Sequence, residues 1–390
     1  MATINAASTT LADVQTAVDS ASSGDTVVVP SGSRTWAGAL DIYEDIILQG
    51  AGIGQTVITR AGEVGYTHAC NPRITGFTFT GNGMYWSLED PQSLRIDHCR
   101  LVNTSGDIQT LLDFMSQQNP NVTHPRGLVD HCEVVNGRLL IRGTAYMRVE
   151  GSQQDQLWYE DFAYGSAGYV FFEDNEFWAT FNCSCVDSDY GGRYVFRHNT
   201  IHCAYLEFHS VQGDNRAGRR WEIYSNTFVV DDAENFPDGV WVPMFIRGGT
   251  GVCFDNVFDS YNNPPVFNNV RDTEDREDCG QCDGTSDWDQ NTSGQAGYAC
   301  RDQIGRGRDT TQWTTGAAYT QVLEPAYWWD NVDGSDAAVS PEIHNPSTPN
   351  HIVENRDYYL SEKSGYTPYT YPHPLQGSEE TQTMYVSCWA

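Results

Sequence analysis

Phe172-Glu173-Asp174-Asn175-Glu176-Phe177, Phe196-Arg197-His198-Asn199-Thr200-Ile201 and Ile223-Tyr224-Ser225-Asn226-Thr227-Phe228 share one pattern: apolar, two variable residues, Asn, one variable residue, apolar. Ile96-Asp97-His98-Cys99-Arg100-Leu101 and Val129-Asp130-His131-Cys132-Glu133-Val134 repeat it with Cys in fourth place, and looser copies fall at Gly76, Asn256, Asn331 and Asn355. Counted by that fourth position, positions 76, 99, 132, 175, 199, 226, 256, 331 and 355 are separated by 23, 33, 43, 24, 27, 30, 75 and 24 residues. A minimum step of about two dozen residues holds three short strands and their turns, so each step predicts one coil of a β-solenoid and the longer steps carry loops. Asn suits the column. It tolerates the left-handed backbone of a tight turn, and like amides stacked about 4.8 Å apart can hydrogen-bond from coil to coil. Cys99 and Cys132 fit the same column as small side chains.

Upstream, Leu11, Val14 and Val18 lie behind Ser8-Thr9-Thr10 at helical spacing, which predicts an amphipathic helix within residues 8–22. A solenoid exposes the apolar core of its first coil, and this helix is the natural lid. Ser23-Gly24-Asp25 then turns the chain into Thr26-Val27-Val28-Val29-Pro30.

The capping helix, the run from Gly24 to Gly32, Leu48-Gln49-Gly50-Ala51-Gly52 and the Asn-bearing coils together make the sequence resemble the pectate-lyase-like superfamily over roughly residues 8–360. The resemblance implies an all-β, single-stranded right-handed parallel β-helix forming one domain. Its coils would run over about 26–360, with a long insertion at 257–330 and an extended tail at 361–390. Members include polysaccharide lyases, glycoside hydrolases, carbohydrate esterases and phage tailspikes, so the fold does not choose a reaction.

Composition agrees with an all-β reading: 36 Gly, 16 Pro, 11 Trp, 21 Tyr and 16 Phe are poor material for a helical bundle. A formal charge of −30 argues against nucleic acid as partner. No apolar run is long enough to span a bilayer, and Met1-Ala2-Thr3 opens a polar stretch unlike a signal peptide. The expected location is extracellular or virion-associated, as monomer or homotrimer. Eleven Cys is an odd number, which leaves at least one unpaired within the chain. Lys363 is the sole lysine, which removes a lysine base from consideration.

Loops are located by the excess over a 24-residue coil. The coil from Asn175 to Asn199 carries none while its neighbours do, so it is the expected floor of a cleft for an extended polysaccharide. Trp158, Tyr164, Tyr190 and Trp241 are candidate stacking rings, and Arg216, Arg220 and Arg247 candidate partners for sugar carboxylates. On the floor, Asp187 and Asp189 stand two apart, with Cα atoms roughly 7 Å apart if they share a strand face. Glycoside hydrolysis needs such a pair, one carboxyl protonated and one ionised. In the next coil Glu207 and His209 point outward if Leu206 and Phe208 point in, which makes them candidate catalytic neighbours.

The first expectation is therefore a glycoside hydrolase using Asp187 and Asp189, assisted by Glu207 or His209. The alternative is a polysaccharide lyase acting on uronates through Arg and His209 or Tyr190. A third, of another class, is a non-enzymatic carbohydrate-binding tailspike or adhesin. The Arg-x-Pro-x-x-Arg motif of pectate lyases and the Gly-His-Gly and Arg-Ile-Lys motifs of polygalacturonases are missing, so no catalytic residue carries over from either family. No cofactor or metal is expected, apart from calcium as an option at Asp283, Asp287 and Asp289. Cys279-Gly280-Gln281-Cys282 with Cys300 reads as a disulfide-stapled loop before a zinc site.

Overall fold

The computed structural model describes the chain except residues 62–63, 118–123, 147, 149–152, 212–214, 269–298, 315–319, 345–350 and 378–390. The chain visits three parallel sheets in turn and closes a coil each time it returns to the first. The first sheet has 12 strands, from Thr3–Asn5 to Tyr358–Tyr359; the second has 10, from Gly32–Trp36 to Val332–Asp333; the third has 10, from Leu40–Ile42 to Glu342–His344. This is a right-handed parallel β-helix, and its core is one continuous apolar column running from Val14 to Tyr358.

The asparagines form the expected ladder. Asn175 Nδ2 donates to Asn199 Oδ1 (3.0 Å), Asn199 to Asn226 (3.0 Å), Asn226 to Asn256 (2.9 Å) and Asn256 to Asn331 (2.8 Å), all buried. Cys132 extends the column, its backbone N–H donating to Asn175 Oδ1 (3.0 Å). The left-handed residue, however, is the one before each Asn or Cys of the column: His98, His131, Asp174, His198, Ser225, Asp255 and Asp330 have φ between 49° and 58°. The turn thus divides its work between a polar residue that accepts positive φ and an inward amide that satisfies buried backbone groups. Two looser copies are corrected. Gly76 itself has φ 77° and follows Thr75, which pairs with Asp97, so Gly76 aligns with His98 and Phe77 fills the column. Asn355 precedes its strand, Tyr358–Tyr359, instead of following one.

Asn199→Ala would leave the buried Asn175 N–H without its acceptor and the Phe172 carbonyl without the Asn199 amide, while Asn226 Oδ1 would keep only the Asn199 backbone N–H. The expected loss is about 2–4 kcal/mol, measured by urea unfolding, with Thr200→Ala as a surface control.

The lid is the helix Leu11–Asp19, capped by Thr10 and burying Val14, Ala17 and Val18. Gln15 fastens it to the first strand of the third sheet through both backbone groups of Asp41 (2.9 Å each). At the other end of the chain, residues 365–377 lie along the outer face of the first sheet. There Arg197 donates to the Tyr369 and Thr370 carbonyls (2.6 and 2.8 Å), and Arg95 to those of Leu375 and Gln376 (3.2 and 2.9 Å).

Most insertions leave from one corner, between third-sheet and first-sheet strands: residues 116–126, 143–169, 209–219 and 269–325. One, 230–243, enters the third sheet from the second. The outer face of the third sheet is therefore a floor with loops on both sides. Among the described residues Cys300 is disulfide-bonded, and seven other cysteines are buried free thiols. Cys279, Cys282, Asp283, Asp287 and Asp289 lie outside the described residues.

Candidate functional site on the third sheet

Strands Arg138–Arg142, Ser184–Asp189, Tyr205–Phe208 and Met244–Ile246 stand side by side on the floor. Leu140 pairs with Asp187, Arg142 with Asp189 and Glu207 with Phe245. The uneven alternation around Cys183, Cys185 and Val186 has a specific cause. Ser184 pairs with Tyr205 and Val186 with Leu206, so Cys185 is one extra residue, a bulge. The bulge turns Val186 into the core and sets Asp187 and Asp189 outward. Leu206 and Phe208 are buried in the core, and Glu207 and His209 face the floor.

Asp187 is fully engaged. Its Oδ2 meets His209 Nδ1 at 3.0 Å and an Arg138 guanidinium nitrogen at 3.3 Å, and its Oδ1 accepts the Ser188 N–H at 2.8 Å. Burial pushes its pKa up, but His209, Arg138 and Arg247 outweigh that and hold it below the ordinary carboxylate range. Asp189 is the opposite case: burial, then the neighbouring Asp187 charge, push it up to about 7. Glu207 is likewise raised by burial and by Asp187, against the pull of Arg247, to which it is ion-paired. Arg247 also approaches His209 Nδ1 at 2.7 Å. Nδ1 cannot both donate to the Asp187 carboxylate and accept from the Arg247 guanidinium, which only donates. With Asp187 ionised, the network assigns Nδ1–H to Asp187 and leaves the lone pair on Nε2.

Asp187, Glu207 and His209 each offer a ligand atom within 4.8 Å of the others. Arg138 already lies on Asp187, and Arg247 on Glu207 and His209, so two guanidinium groups offset the two carboxylates. An imidazole beside two cations does not fit calcium, which takes an all-oxygen shell.

Of the expected sugar-binding residues, Arg247 is in this cluster, Tyr190 ends the floor strand with φ 51°, and Trp241 is exposed against Phe245 (5.3 Å). Four others are elsewhere. Trp158 is buried in a small loop core with Val211, Ala217 and Trp313, its Nε1 donating to Ala217 O. Arg216 is buried among Asp155, Asp302 and Asp309 and ties the corner loops together. Arg220 pairs with Glu324, and Tyr164 lies under Arg220 with its hydroxyl at Thr250 (3.4 Å), both on the first sheet. These side chains build the loops; they do not line the floor.

Sequence reading missed Arg138, Arg142 and Asp113. Arg142 forks onto Asp113 one coil earlier, and Arg138 is the partly exposed cation beside Asp187. The spacing Arg138, Leu140, Arg142 was the available signal: i, i+2 and i+4 share one strand face.

No protein-family model and no curated protein matches the chain. Similar solved structures include an alginate lyase from Paenibacillus sp. str. FPU-7, 16% identical, covering 68% of this chain and 96% of that one with a TM-score of 0.41. Another is a PL6 family polysaccharide lyase from Pseudopedobacter saltans, 12% identical, covering 92% and 91% with a TM-score of 0.45. At these scores the likeness carries no argument about reaction, which rests on the chain's own residues.

Proposed function

We propose that the protein is a polysaccharide lyase cleaving a uronate polymer laid across the third sheet. The observation that carries this is the state of Asp187: with its oxygens given to His209, Arg138 and the Ser188 N–H, it orients a base and is not itself free to attack. His209 Nε2 takes the proton alpha to the uronate carboxyl, and Arg138 pairs with that carboxylate, which lowers the cost of the developing charge. The electron pair left on C5 forms the C4–C5 double bond as the C4–oxygen bond breaks. Asp189, protonated below about pH 7, supplies the proton to the departing oxygen. A glycoside hydrolase is the second reading, because Asp187 and Asp189 are pushed in opposite directions, as an acid and base pair requires. Digestion of a panel of uronate and neutral polymers separates the two: the lyase forms an unsaturated, ultraviolet-absorbing end, whereas reducing ends without that absorbance mark the hydrolase.

The acid role fixes a pH dependence. kcat is expected to fall as pH rises through about 7, where Asp189 loses its proton, and Asp189→Asn is expected to remove that limb along with most of the rate. The same group shapes stability. Its folded value lies above that of an unfolded Asp, so its contribution is complete below about pH 4 and is lost as pH rises through about 7. Thermal unfolding between those pH values should therefore show a smaller decline for Asp189→Asn than for the natural chain.

A further inference from the structure

A second constellation lies around the corner from the floor, on the first-sheet side. Arg193 is four residues beyond Asp189 and begins the strand Arg193–Arg197. It lines a cleft of about 380 Å³ with His124, Arg126, Glu160, Phe162 and Ala167. Its side chain is 2% exposed, yet Nε and Nη1 have no hydrogen-bond partner; the guanidinium is stacked on the Phe162 ring (3.3 Å to the centroid). Both ring nitrogens of His124, 3% exposed, also lack hydrogen bonds, the nearest acid being Glu160 at 3.6 Å. Buried polar groups are normally satisfied, and an unpartnered buried guanidinium costs stability unless something returns to it what water gave.

The loop forming the outer wall is fixed in place. Gly165 N–H donates to Glu222 (2.9 Å), and Tyr366 of the C-terminal strap donates to the same carboxylate (2.7 Å). Ala163, Ala167 and Gly168 keep the mouth open with small side chains. Glu160 and Asp161 also line the cleft and set a limit on the charge it accepts. The volume is at the lower end for small-molecule clefts, and it combines a buried cation, the single N–H donor of an imidazole that burial keeps neutral, and an aromatic edge.

The geometry points to a secondary subsite for one acidic sugar residue, its carboxylate on Arg193 and His124 and its ring against Phe162. This deepens the lyase reading and rests on it for the choice of an acidic sugar. A cleft here would hold a chain end or branch beyond the floor, without taking part in bond cleavage.

Titration calorimetry on the full chain with glucuronate, glucose and inorganic sulfate tests it without turnover. The expected result is saturable glucuronate binding, no glucose binding and weaker sulfate binding. Arg193→Met and, independently, Ala167→Trp, which fills the mouth from an exposed position, should each weaken glucuronate at least tenfold. His209→Ala should leave that binding unchanged, so failure of the lyase reading and failure of this one are separable. Absence of glucuronate binding, or binding indifferent to both cleft variants, overturns the proposal. Sulfate binding as tight as glucuronate overturns the sugar assignment and leaves a free-oxyanion site.

Discussion

His209→Ala is expected to fold normally and to lose about 10²–10⁴-fold in kcat, the usual range for removing a general base. Folding should survive because the ring lies on the outer face, while Leu206 and Phe208 hold the strand in the core. Asp187 would keep Arg138 and the Ser188 N–H as partners. A KM-against-kcat comparison then separates the roles. His209→Ala should change kcat with little change in KM, whereas Arg138→Ala, which removes the uronate partner, should raise KM and lower kcat together. Asp187→Asn should keep the site's shape but weaken the orientation of His209, giving a loss in kcat between those of the wild type and His209→Ala. Unchanged rates for His209→Ala would remove the base from the mechanism.

The largest stability effect is expected on the opposite face. Arg197 and Glu173 are both fully buried and ion-paired at 2.6 Å beneath the C-terminal strap. Glu173 also accepts from the His373 N–H (2.8 Å) and the Gln376 side chain (2.7 Å), so the pair joins strap to sheet. Arg197→Ala would strand a buried carboxylate, with an expected cost of about 3–5 kcal/mol by urea unfolding. Burial already pushes Glu173 above its ordinary range, with Arg197 opposing. Arg197→Met combined with Glu173→Gln should therefore be more stable than Arg197→Met alone by about 1 kcal/mol or more, since no charge is left buried. If the single and double variants unfold alike, the pair is not what fastens the strap.

The fold was legible because its signal is a spacing. Asn175, Asn199 and Asn226 recur at coil length, and their buried amide ladder satisfies backbone groups that few other side chains could reach. The division of each turn into a left-handed residue and an inward Asn was not legible, because the preceding position is filled by Asp, His or Ser in different coils. The lid was legible from Val14 and Val18. The site was only half legible. Asp187, Asp189, Glu207 and His209 do share the floor, but their facing depends on the bulge at Cys185, which no periodicity marks. Arg138 was hidden because the insertion at 143–169 obscures which strand of its coil stands beside Asp187. Trp158 and Arg216 look like groove residues in sequence; in the fold they fill the joint between loops, where Arg216 meets three acids at once.

The deciding measurement is digestion of a uronate polymer in heavy-oxygen water with mass analysis of the products. Elimination across the third sheet predicts unlabelled fragments at early times, one bearing an unsaturated end and their masses summing to that of the parent. Fragments that carry the heavy oxygen and sum to the parent plus one water would contradict the account and assign the floor to a hydrolase.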